Sequence, residues 1–116
     1  MLRGLFLGFI RIHILFHAAD APVYGVALMA ELGRHGYGIG PGTLYPILHS
    51  LETQGFLRRE DQVVDGKVRK YYRLTLSGRR ILARAQAQLG ELVGEVLPAS
   101  PLDDRTKGFG SRRRRR

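Results

Sequence analysis

Apolar residues recur along this chain at helical spacing in some stretches and at strand spacing in others, and their order lays out the molecule. Residues 2 to 17 are apolar on most sides, interrupted by Arg11 and His13, and predict a first helix covered by its own domain and by a partner subunit. Ala18 to Pro22 reads as a short turn, with Asp20 placed to cap a second helix and Pro22 near its first turn. In that helix Val23, Val26 or Ala27, Ala30 and either Met29 or Leu32 fall at helical intervals, and His35-Gly36 closes it after Arg34. Tyr37 to Gly40 join it to the next pattern.

That pattern, Leu44, Ile47, Leu48 and Leu51, marks one buried stripe of a short helix that ends at Gly55. Its other face carries Thr43, Pro46, His49, Ser50 and Thr53, with Tyr45 on the flank. These short, almost uncharged groups suit a face that lies in a groove. Two starts are open. Gly40 as N-cap places Pro46 inside the helix, where it removes a backbone hydrogen bond; Thr43 as N-cap places Pro46 harmlessly in the first turn. The second register is the expected one. Two helices with a short glycine-containing joint, the second polar on its outer side, form the helix-turn-helix pattern.

Strand-like runs follow, Leu57 to Val64 and Val68 to Leu74, flanking Asp65-Gly66, a dipeptide suited to a tight hairpin turn with positive φ. A hairpin in this position is the wing of a winged helix. Its second strand alternates, with Lys70, Tyr72 and Leu74 on one side and Arg69, Tyr71 and Arg73 on the other. Thr75 is placed to cap a last helix whose apolar residues Leu82, Ala85, Leu89, Leu92 and Val96 form a heptad seam. A seam of this kind calls for a second copy of the chain, the alternative being that the helix folds back onto its own domain. Gly90 and Gly94 weaken that helix by about 1 kcal/mol each, on its outward positions.

The expected fold is therefore mainly α with a small β-hairpin wing: a winged helix-turn-helix over residues 1–75, a C-terminal dimerisation helix over 76–97, and a disordered basic tail over 98–116.

Charge sharpens this picture only after it is divided. The 116 residues carry a net charge of +9. Residues 1–97 hold 12 basic against 8 acidic groups, and residues 98–116 hold 7 against 2, so +4 belongs to the folded part and +5 to the tail that ends in Arg112 to Arg116. A nucleic-acid partner is favoured by this balance without being established by it. The chain has no cysteine, which excludes disulfides, thiolate metal sites and cysteine nucleophiles.

The apolar start followed by Ala19-Asp20-Ala21 imitates a secretory signal. Arg11 and His13 interrupt it where a membrane segment would be most penalised. No membrane is therefore expected, and the location expected is cytoplasmic. His13 and His17 have metal-ligand spacing, but no third ligand stands nearby in the sequence, and no metal or other cofactor is expected. An enzyme finds no support: there is no Gly-rich phosphate loop, no carboxylate pair and no motif-spaced nucleophile.

Groups suited to double-stranded DNA are then Thr43, Tyr45, Pro46 and His49 toward the major groove, and Lys67, Arg69 and Lys70 of the wing toward phosphates. Twofold symmetry would match a pseudo-palindromic operator. The alternative is a winged-helix module that binds protein and reads no DNA sequence.

Tyr24-Gly25, then Gly42-Thr43-Leu44-Tyr45-Pro46 with Leu51-Glu52 and Gly55, then Arg69-Lys70-Tyr71-Tyr72 with Leu74-Thr75 and Gly78 form three ordered motifs. Together they resemble the PadR family of bacterial transcriptional regulators over roughly residues 3–97, in its smaller branch with a short C-terminal helix. The resemblance implies a winged helix-turn-helix homodimer, joined mainly through the last helix, that acts as a ligand-responsive repressor. It also implies a small-molecule effector between the first and last helices, with Phe6, Phe9, Phe16 and Leu89 as lining residues. Two departures stand out: Gly40 replaces a serine common in relatives, and Ser50 takes the place of a frequent basic residue.

Overall fold

A computed structural model describes residues 2–98. The elements run α1 (Leu2–Asp20), β1 (Val23–Tyr24), α2 (Gly25–Arg34), α3 (Pro41–Thr53), β2 (Leu57–Val64), β3 (Lys67–Leu74) and α4 (Leu76–Val96). The described residues divide into two compact units, one up to Gln86 and one from Ala87. The expected tail, with Arg112 to Arg116, lies outside the described residues apart from Pro98.

The core of the first unit is assembled from one stripe per helix. Ile10 and Ile14 of α1, Leu32 of α2, Leu44 and Leu48 of α3 and Leu57 of β2 are its fully buried large side chains. Each contributes roughly 1.5–3 kcal/mol relative to an exposed position. Alone, α1 is apolar and long enough to cross a membrane. Its Ile10, Ile14, Leu15 and Ala18 are instead buried in the core of this unit.

Two helix ends are closed in the same way. Gly36 and Gly55 both have positive φ. Around them Tyr37 N–H donates to Leu32 C=O at 2.9 Å and Phe56 N–H to Leu51 C=O at 2.9 Å. With Gly36 to Gly33 and Gly55 to Glu52, these bonds complete two Schellman caps. The hairpin turns at Asp65 (φ 53°) and Gly66 (φ 77°), and it pairs Leu57 with Leu74 through Val64 with Lys67. Thr75 caps α4 as expected: its Oγ1 accepts from Gly78 N–H at 2.9 Å and donates to Gly55 C=O at 2.6 Å.

Four expectations need correction. Asp20 is the last residue of α1, and the N-cap of α2 is Tyr24, which gives no side-chain cap. Val23 belongs to a strand: Val23 and Tyr24 pair with Tyr72 and Tyr71, giving a three-stranded sheet in the order β1-β3-β2. A β-branched and an aromatic residue fit this pleated edge, and β3 offers the pairing. In α2 the buried positions are Gly25, Leu28 and Leu32, while Val26, Ala27 and Ala30 are exposed. Finally, α3 begins one turn earlier than expected, with Gly40 as N-cap, Pro41 at its first position and Pro46 inside. Thr43 and Leu44 N–H groups both donate to Gly40 C=O. The bond that Pro46 forfeits would have ended on Gly42 C=O, and both residues are on the exposed face, where water can serve that carbonyl. Burial of Leu44, Ile47, Leu48 and Leu51 outweighs the loss.

Candidate nucleic-acid interface

The outer face of α3 is centred on Gly42, Pro46, His49 and Thr53, with Tyr45 beside them, all exposed. Thr43 and Ser50 stand half-buried at its margins. The face follows from the register: starting at Pro41, the buried stripe at Leu44, Ile47, Leu48 and Leu51 turns these positions outward. Gly42, which has no side chain, is a member of this face that helical spacing from Thr43 did not include.

Four elements meet beside that face. Tyr24 at the end of β1, Gly25 and Val26 from the start of α2, Tyr45 from α3, and Val68, Arg69 and Lys70 from β3 line an open concavity of about 460 Å³. Its floor depends on Gly25, because a Cβ there would collide with the hydroxyl end of Tyr45. Across the cleft the Arg69 guanidinium sits 4.8 Å from the centre of the Tyr24 ring, and Tyr24 packs on Tyr71 with centroids 5.2 Å apart. Stacking of this kind holds a cation in place without neutralising it. Gly25 and Val26, at the first positions of α2 and so at the positive end of its dipole, are among the residues that line this cleft.

The remaining wing charges are partly spent on one another. Arg73 pairs with Glu60, whose carboxyl that arginine holds below the usual carboxylate range, and Arg59 lies 3.4 Å from Asp61. Lys67, at the turn, and Lys70 are exposed. Tyr72 is buried, and its hydroxyl pKa is raised by that burial. Of the seven groups expected to meet DNA, Tyr45, Arg69 and Lys70 therefore share one cleft. Pro46 and His49 continue it along α3, Lys67 lies at the wing tip, and Thr43 is marginal. Tyr24 and Gly25 are missing from the expected set, since a two-residue strand leaves no periodic signal.

The other expected sites come out unevenly. Leu82 is buried in the core of the first unit, so it is not free to join a seam; the anchoring of the first turn of α4 at Thr75 and Gly78 turns it inward. Ala85 and Leu89 are half-buried, and Leu92 and Val96 are 54% and 62% exposed. Phe6, Phe9 and Phe16 lie exposed along one side of α1, with Phe6 edge-on to Tyr37 at 5.0 Å. The expectation that His13 and His17 have no third partner fails: the C-cap of α2 brings His35 against His13, ring centroids 4.9 Å apart.

Comparison with known proteins agrees with this layout. The model of the transcriptional regulator PadR-like family matches residues 14–84. The transcriptional regulator Rv3488 of Mycobacterium tuberculosis is 53% identical over 88 residues, which cover 76% of this chain and 82% of that protein. A crystal structure of a PadR family transcriptional regulator from Eggerthella lenta superposes with a TM-score of 0.70 at 38% identity, covering 86% of this chain and 91% of the other. A Streptococcus transcriptional regulator superposes with a TM-score of 0.73 at 28% identity, covering 79% and 92%.

Proposed function

We propose, from the premise that this chain belongs to the PadR-like family of transcriptional regulators, that it is a sequence-specific DNA-binding repressor working in the cytoplasm as a homodimer. The observation that carries this reading is the cleft where Tyr45 of the α3 outer face meets Arg69, Lys70 and the start of α2. Pro46 and His49 enter the major groove, and His49 reads a base edge or a phosphate. Arg69, Lys70 and the α2 N–H groups take a backbone phosphate, and Lys67 takes another further along the wing.

Exposed Leu92, Val93, Val96 and Leu97 on the second unit support pairing of two copies through the end of α4. The family resemblance supports release of the DNA by a small-molecule effector.

Gel-shift titration against DNA upstream of the chain's own coding region tests the reading. Lys70→Ala weakens binding to all sequences and lowers the log–log salt slope by about 1, whereas His49→Ala costs roughly 1–3 kcal/mol on the preferred site alone. Retention that is weak, blind to sequence and unchanged in both variants would instead mark a protein-interaction module.

A further inference from the structure

His13 and His17 are one turn apart on α1, and His35 reaches the same spot from the C-cap of α2. One ring nitrogen from each comes within 4.8 Å of the others. The rings stack with centroids 4.9 Å apart for His13 and His35, 6.2 Å for His13 and His17, and 6.1 Å for His17 and His35. Glu31, one turn before His35, adds a carboxylate. Its Oε2 is 3.1 Å from His35 Nε2 and 3.7 Å from His17 Nε2, and Arg34 pairs with its other oxygen.

One detail within this group is not explained by packing. His17 Nε2 is buried and has no hydrogen-bond partner among the described residues, since 3.7 Å is too long for a hydrogen bond to Glu31. Buried polar atoms are almost always satisfied, and one aimed into a cluster of three imidazoles and a carboxylate points to a shared partner.

We propose that His13, His17 and His35, with Glu31 as fourth ligand, bind a divalent transition ion of the zinc type that ties α1 to the end of α2. Ligand chemistry selects this class: imidazole and carboxylate together suit zinc and its neighbours, while calcium and magnesium require oxygen donors. The spacing agrees. Two ligands each ~2.1 Å from one ion stand ~3.0–3.4 Å apart in octahedral or tetrahedral geometry. The distance from Glu31 Oε2 to His35, 3.1 Å, falls within that range and the distance to His17, 3.7 Å, lies just above it, and rotations of the three imidazoles close the rest. Arg34 fixes the carboxylate from behind, as outer partners of metal ligands do. The site lies wholly within residues 1–86, and it clamps the helix that leads into α3 without touching the proposed DNA face.

Titration of the tag-free, EDTA-stripped full chain with Zn(II), followed by calorimetry, and with Co(II), followed by its visible d–d bands, tests the proposal directly. It does not depend on DNA binding. One ion per chain is expected, with the intense bands of a four-coordinate cobalt site. His35→Ala removes a ligand from a half-exposed cap and leaves the core intact, as circular dichroism would verify; it should lower affinity at least tenfold. His49→Ala should leave affinity unchanged. Zinc affinity equal in the wild-type and His35→Ala proteins, loss of binding in His49→Ala, or no binding at submillimolar zinc would overturn the site.

Discussion

Gly25 and Gly78 are both positions where a side chain would meet a neighbour, and the kind of neighbour decides what each does. At Gly78 a Cβ would strike the Phe56 carbonyl and the Leu74 side chain, so the first turn of α4 could not lie where Thr75 anchors it. At Gly25 it would meet only the far end of the Tyr45 ring, which can swing away. Gly78→Ala is therefore expected to lose about 1–3 kcal/mol of stability through overpacking. Gly25→Ala should unfold at nearly the wild-type urea midpoint yet bind DNA several-fold more weakly, because the displaced Tyr45 disrupts the cleft beside Arg69. Chemical denaturation and gel shift on the two variants read these effects separately. Both glycines stand inside the motifs that suggested the family, but only the folded chain explains why each is small. His35 was hidden for a related reason: it is distant in sequence from His13 and joins it only through the packing of α2 on α1.

Among the elements, α3 shows most clearly what periodicity can and cannot reveal. Its buried stripe was legible in full, since Leu44, Ile47, Leu48 and Leu51 have one helical reading and all four are buried. Its start was not, because local rules favour keeping Pro46 in the first turn whereas the helix keeps an extra turn from Pro41. The hairpin was legible because Asp65-Gly66 leaves few alternatives to a tight turn, and β1 was not because two residues carry no period. Retaining a proline within α3 sacrifices stability on the face proposed to meet DNA. Pro46→Ala should restore the bond to Gly42 C=O and raise stability by about 1–3 kcal/mol in urea unfolding, while weakening operator binding. A variant less stable than wild type would show that Pro46 supports the helix.

For the whole molecule, the exposed end of α4 is the feature that one chain does not explain. Leu92, Val93, Val96 and Leu97 would cost little as single exposed residues, but together they form a run on one short segment. Leu92→Asp combined with Val96→Asp should shift sedimentation from dimer to monomer at micromolar concentration, with the circular dichroism of residues 1–86 preserved. Monomeric wild-type protein under the same conditions would remove the twofold arrangement from the proposal. That arrangement also predicts the imprint left on DNA. Hydroxyl-radical footprinting of the purified chain on its own upstream region should give two protected patches, their centres about one helical turn, ~10 base pairs, apart. A single patch, or protection that does not depend on sequence, would contradict a paired α3 face reading an operator.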